Sequence, residues 1–204
     1  MKFKPDFANL KRYETENLKL KSKDFDTNRI VFIGDSIIEF WNNKNGFFKN
    51  NSSFVNRGIS SQTASQILLR FENDVIELQP KKVIVLCGIN DIAENNGKIS
   101  IDEIFENFTK MIQLAIDNWI EVVVCSLLPC NFFYWNLEIN LAEKVVELYQ
   151  LLKKYSLEKG IDFVDFYSEM VGVNFGICDA FSDDRIHPNE NGYLIMEQLL
   201  FRYL

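Results

Sequence analysis

Five short apolar runs alternating with longer helical stretches predict a three-layer α/β/α fold on a parallel sheet of about five strands. Three observations carry this prediction. The runs at 82–87 and 121–125 are continuous in Val, Ile, Leu and Cys, as expected of strands covered on both faces. The stretches between strands are long enough for crossover helices, which are right-handed in such units. No repeat, low-complexity tract or Pro/Gly-rich linker interrupts the series, so residues 1–204 read as one domain.

Taken in order, the first element is a helix over about 6–20, where Phe7, Leu10, Tyr13, Asn17 and Leu18 recur at near-helical spacing and offer a face to the domain or to a partner. Arg29-Ile-Val-Phe-Ile33 is the first strand, and a short helix through Trp41 follows it. Ser53-Phe-Val-Asn56 is the second strand, and a helix over about 63–78 opens on Thr63. The third strand, 82–87, leads to a helix over 101–118 capped by Ser100. Strand 121–125, a helix over about 137–159 and strand Asp162-Phe-Val-Asp165 come next. A last helix covers 189–203, with Pro188 in its first turn.

A formal net charge of -7 argues against nucleic acid or an anionic membrane surface as partner, since both are recognised by clustered Lys and Arg. The 18 phenylalanines favour an aromatic-rich core. Met-Lys-Phe-Lys-Pro-Asp-Phe lacks the apolar stretch of a signal peptide, and no later run reaches membrane-spanning length. The expectation is a cytoplasmic protein without a membrane span. Cys87, Cys125, Cys130 and Cys178 form no CxxC pair and read as small hydrophobes, not as disulfide partners or zinc ligands. Oligomeric state is open.

In a sheet of this kind a site forms beyond the carboxyl ends of the strands. Ser36 follows the first strand at a helix start, where backbone N–H groups favour a developing oxyanion. Gly58 follows the second, where a glycine lets a backbone N–H approach substrate. Asn90 follows the third and carries a neutral amide donor, while Asp91 ties down its loop. His187, the only histidine, is the base that a serine nucleophile needs, and Asp184 can fix its tautomer, with Asp183 the other acid in that run. Each residue also has an ordinary reading: Ser36 as an N-cap, Gly58 as a turn, Asn90 as an Asx turn, His187 as surface or core. Their conjunction at one edge selects the chemical reading.

Gly34-Asp35-Ser36, Gly58, Gly88-Ile89-Asn90-Asp91 and Asp184-Arg185-Ile186-His187 resemble, in order, the four blocks of the SGNH (GDSL-like) hydrolase family. The resemblance takes in Asn56-Arg57-Gly58-Ile59-Ser60, His187-Pro188-Asn189 and Gly192-Tyr193, and so covers nearly the whole chain; Arg185 stands where relatives often have a small residue. It implies a flavodoxin-like sheet, a triad of Ser36, His187 and Asp184, and an oxyanion hole from the Ser36 and Gly58 N–H groups with the Asn90 side chain. It implies no metal and no cofactor, and a small-molecule ester as substrate. The loop 128–135 is expected to overhang the site, so Asp35, Trp41, Phe132, Phe133 and Trp135 are candidate pocket residues. O-acetyl groups on a carbohydrate suit such a pocket. The alternatives are a lysophospholipase or thioesterase acting on longer chains, or a non-catalytic binding protein. The GxSxG, HExxH, Walker and GxGxxG signatures are absent.

Overall fold

The computed structural model describes residues 6–22, 26–44, 46–134 and 141–204. Five parallel strands, β1 (Ile30–Gly34), β2 (Phe54–Gly58), β3 (Lys82–Leu86), β4 (Glu121–Cys125) and β5 (Asp162–Val164), form one sheet in the order β2-β1-β3-β4-β5. This is the flavodoxin-like order, whose direction reverses between β1 and β3. The helices described are α1 (Glu14–Lys21), α2 (Ser36–Trp41), α3 (Ala64–Asp74), α4 (Ile89–Ile92), α5 (Ile101–Asp117), α6 (Leu141–Lys159), α7 (Phe166–Met170) and α8 (Glu190–Leu200).

Because side chains alternate along a strand, each strand feeds two cores. Val31, Ile33, Val83, Val85 and Val124 join Phe71 of α3, Phe108 of α5 and Leu148 of α6. Phe32, Ile84, Leu86 and Val123 join Trp41 of α2, Phe166 of α7 and Met196 of α8. The second layer holds the expected aromatic cluster, in which Phe32 meets Phe48 edge-on at 4.9 Å and Trp41 stacks on Phe47 at 5.1 Å. Among the described residues no helix is long and apolar enough to cross a membrane.

Several boundaries differ from expectation. β2 runs on to Gly58, and α3 ends at Asp74 before a 3-10 turn, Ile76–Leu78. Capping boxes start α3 at Thr63 and α5 at Ser100. Asn189 caps α8 by accepting from the Gly192 N–H, so Pro188 precedes the cap instead of sitting in the first turn. Of the helix expected over 137–159, the part before Leu141 lies outside the described residues.

The N-terminal helix is shorter than its apolar spacing predicts. Asn9 takes a left-handed conformation (φ 53°) and Asp6 Oδ1 accepts from the Leu10 N–H, so turns occupy 6–13 and only Glu14–Lys21 is α-helical. Phe7, Leu10 and Leu18 are exposed, whereas Asn17 is buried. Asn17 donates to Asp74 Oδ1 (2.7 Å) and accepts from Arg57 Nε (2.9 Å). Polar bonds therefore dock this segment on the sheet's helical layer.

Candidate active site

The turn after β1 separates two duties. Asp35 caps α2, its Oδ1 accepting from the Ile37 N–H at 3.0 Å, so Ser36 is not the cap. The Ser36 hydroxyl is left to meet His187 Nε2 at 3.0 Å. Arg70 Nη2 donates to the Gly34 carbonyl (2.9 Å) and the Tyr193 hydroxyl to the Ile37 carbonyl (2.8 Å), which holds the turn from both layers.

His187 lies in the loop before α8. His187 Nδ1 is 2.7 Å from Asp184 Oδ2, and Asp184 Oδ1 accepts from the N–H groups of Ile186 (2.9 Å) and His187 (2.7 Å) and from Ser182 Oγ (3.2 Å). Partial burial pushes the Asp184 carboxyl up, but the hydrogen bonds from His187 and Ile186 outweigh it and hold the carboxyl below its usual range. An ionised Asp184 assigns the proton to Nδ1 and turns the Nε2 lone pair toward Ser36. Asp183 faces elsewhere, accepting from Asn189 Nδ2 at 3.1 Å. Arg185, at φ 68°, bends the chain between the acid and the base.

Asn90 lies in the first turn of the short helix α4, capped by Gly88, whose φ of 104° is a conformation that glycine adopts without strain. Its amide is oriented at both atoms: Oδ1 accepts from Asn95 Nδ2 (2.8 Å) and Nδ2 gives one hydrogen to the Gln62 carbonyl (3.1 Å). A second hydrogen remains for a ligand oxygen. Asp91 Oδ2 accepts from the Ala64 N–H at 2.8 Å and so ties this loop to the start of α3. At Gly58 the glycine answers to packing, because a Cβ would collide with the Glu39 backbone nitrogen of α2. Its N–H already donates to Asn56 Oδ1 at 2.9 Å, so an oxyanion would share that donor. The Ser36 N–H, in the first turn of α2, has no partner within the helix.

The expected pocket residues are scattered. Asp35, next to Ser36 in the chain, is wholly buried, and Trp41 is wholly buried in the core, donating from Nε1 to Glu197 Oε1 at 3.1 Å. Phe133 is buried with Leu127 and Cys130. Phe132 is half-buried and meets Tyr134 edge-on at 4.8 Å. Trp135 lies outside the described residues. The aromatic of α2 that meets His187 is Phe40, 5.1 Å from its ring and 40% exposed. Helical geometry could have found it: four residues bring a side chain back to about 40° of Ser36, whereas five carry Trp41 about 140° away. Arg70, Gln62 and Asn95 were also missed, since only the folded contacts connect them to the site. Among the described residues no group of three or more His, Cys, Asp or Glu could hold a metal ion.

Together these groups can deprotonate a serine, hold a developing negative charge and return a proton to a leaving group. The sequence profile of the GDSL-like lipase/acylhydrolase family matches residues 32–195. The crystal structure of a GDSL-like lipase from Bacteroides thetaiotaomicron superposes with a TM-score of 0.92 at 40% identity, covering 97% of each chain. An acetylxylan esterase of Geobacillus stearothermophilus is 24% identical over 159 residues, 72% of this chain and 70% of that one. The lipoprotein YqeF of Bacillus subtilis is 29% identical over 84 residues, 40% of this chain and about a third (35%) of that protein's length.

Proposed function

The chain belongs to the GDSL-like lipase/acylhydrolase family, and we propose that it is a serine esterase removing short acyl groups, acetyl above all, from a carbohydrate or similar small polyol. The observation that carries this reading is the line from Ser36 Oγ to His187 Nε2 (3.0 Å) and from His187 Nδ1 to Asp184 Oδ2 (2.7 Å). In this mechanism His187 takes the Ser36 proton as the hydroxyl attacks the ester carbonyl. The oxyanion is held by the N–H groups of Ser36 and Gly58 and by Asn90 Nδ2. The carbon–alcohol oxygen bond then breaks as His187 passes its proton to the leaving alcohol, and water, activated by the same imidazole, releases the acid.

Two further points support a short acyl group. The first is the aromatic ring of Phe40, which lies 5.1 Å from the His187 ring and so takes up space beside the reacting centre. The G. stearothermophilus relative is named for removal of acetyl groups from xylan. The test is hydrolysis of a p-nitrophenyl ester series from acetyl to octanoyl, with phosphonate labelling mapped by mass spectrometry. Acetyl should be the best substrate and the label should fall on Ser36. Steady improvement toward octanoyl would move the assignment to longer acyl chains, and failure to label Ser36 would remove it from the esterases.

A further inference from the structure

We propose that a trough beside the oxyanion hole is a subsite for a neutral sugar ring of the substrate, an inference that rests on the carbohydrate-ester reading above. The trough has a volume of about 570 Å³, within the range of roughly 300–1,000 Å³ usual for small-molecule sites. It adjoins both side-chain and backbone donors of the hole. Ile59, on its wall, follows Gly58 directly, while Gln62 accepts from the Asn90 amide and Asn95 donates to it.

Its chemistry is specific in kind. No lining side chain is charged, so the trough offers no counter-ion to a phosphate or carboxylate. Seven of its nine lining residues carry carboxamides or hydroxyls, groups that an acyl chain would leave without partners. Among the described residues, no hydrogen bond takes up the Asn9 amide, the Ser61 hydroxyl or the Asn96 carbonyl oxygen, leaving donors and acceptors of both kinds at the rim. Phe7, 45% exposed, adds one apolar edge. Uncharged groups that both donate and accept, beside an aromatic ring, match a sugar's hydroxyls and its C–H face.

The frame is built before any ligand arrives. Gln62 Nε2 donates to the Ala8 carbonyl and Gln66 Nε2 to the Phe7 carbonyl, both at 2.7 Å, and Asn96 Nδ2 donates to Gln66 Oε1 at 2.7 Å. The N-terminal turns are thus a fixed wall, which spares a ligand the cost of ordering it. A glycan continues past its esterified ring, so a neighbouring ring has a surface to meet here.

The experiment has two arms. In the first, Ser36→Ala protein is titrated with neutral xylo-, manno- and N-acetylglucosamine oligosaccharides by NMR. Saturable binding is expected, weakened about tenfold by Phe7→Ala or by Asn96→Ala. In the second, each variant in the active enzyme should raise KM for an acetylated oligosaccharide by a similar factor while leaving kcat/KM for p-nitrophenyl acetate unchanged. Ser61→Tyr, which fills the trough from an exposed position, should do the same if either truncation fails to fold. Saturation by none of the three sugars, or equal losses on both esters, would overturn the subsite. An enzyme inert toward p-nitrophenyl acetate would sink the esterase reading alone, since the binding arm needs no turnover.

Discussion

At Ser36 the division of labour with Asp35 decides what the hydroxyl can do. A capping serine would spend its oxygen on backbone N–H groups, whereas here Asp35 accepts from Ile37 and the Ser36 oxygen is directed at His187. Ser36→Ala and His187→Ala should each lower kcat by roughly 10⁴ or more, and the double variant should be little worse than either, because the residues act as one unit. Asn90→Ala should cost roughly 10²–10³ in kcat with a smaller change in KM, read by steady-state kinetics. Asp35 itself makes a separate prediction. Burial, with Asp91 adding to it, pushes its carboxyl up to about 7, and its Oδ2 is buried without a hydrogen-bond partner. The folded protein then holds a proton that the unfolded chain gives up above about 4. The stability so gained is complete below that pH and is lost as pH rises through about 7. Asp35→Asn keeps an acceptor for Ile37, so it should raise Tm at about pH 8 and change it little at about pH 4. A uniform shift at both values would show that the carboxyl is not titrating between them.

α3 joins the site to the rest of the molecule through Arg70. This side chain is wholly buried and reaches Asp74 Oδ2 (2.9 Å), Gln62 Oε1 (2.6 Å) and the Gly34 carbonyl. It therefore braces the strand before Ser36 directly and Asn90 through Gln62. Arg70→Met should cost about 3–5 kcal/mol in urea unfolding by leaving Asp74 buried without its ion-pair partner, and adding Asp74→Leu should recover part of it, since Asn17 then loses its acceptor on Asp74. If kcat recovered along with stability in the double variant, Arg70 would be a structural residue only. This element also marks the limit of what the sequence makes legible. The strands and the four short blocks are local signals, carried by apolar continuity and by residues a few positions apart, and their placement follows from the sheet rule. Arg70 reads as one charged residue on a helix, because its partners come from β1, the loop before α3 and one turn onward. Asn17 is obscure for the same reason: its burial depends on Arg57 and Asp74, 40 and 57 residues away. Trp41 and Phe133 were expected to wall a pocket on aromatic character alone. A large apolar ring is equally suited to the core, and only the direction of its helix or loop decides.

Across the whole molecule, the reversal of strand order between β1 and β3 gathers the ends of three strands around one point. Ser36 and Asn90 follow β1 and β3 and Gly58 ends β2, while His187 arrives from the loop before α8. α8 is seated against α2 by Tyr193 on the Ile37 carbonyl and by Trp41 on Glu197, contacts that each span 156 residues, and the Ser36–His187 hydrogen bond spans 151. Closing loops of that length is paid for late in folding, after local helices and neighbouring strands have formed. Ser36 is therefore in place with β1 and α2 before His187 reaches it. In refolding from denaturant, helical circular dichroism should return ahead of esterase activity, and a strand or helix signal that recovered in step with turnover would contradict this order. On the proposed mechanism turnover doubles as a clock for the docking of α8, and a chain with every strand in place is chemically silent until the loop before α8 brings His187 to Ser36.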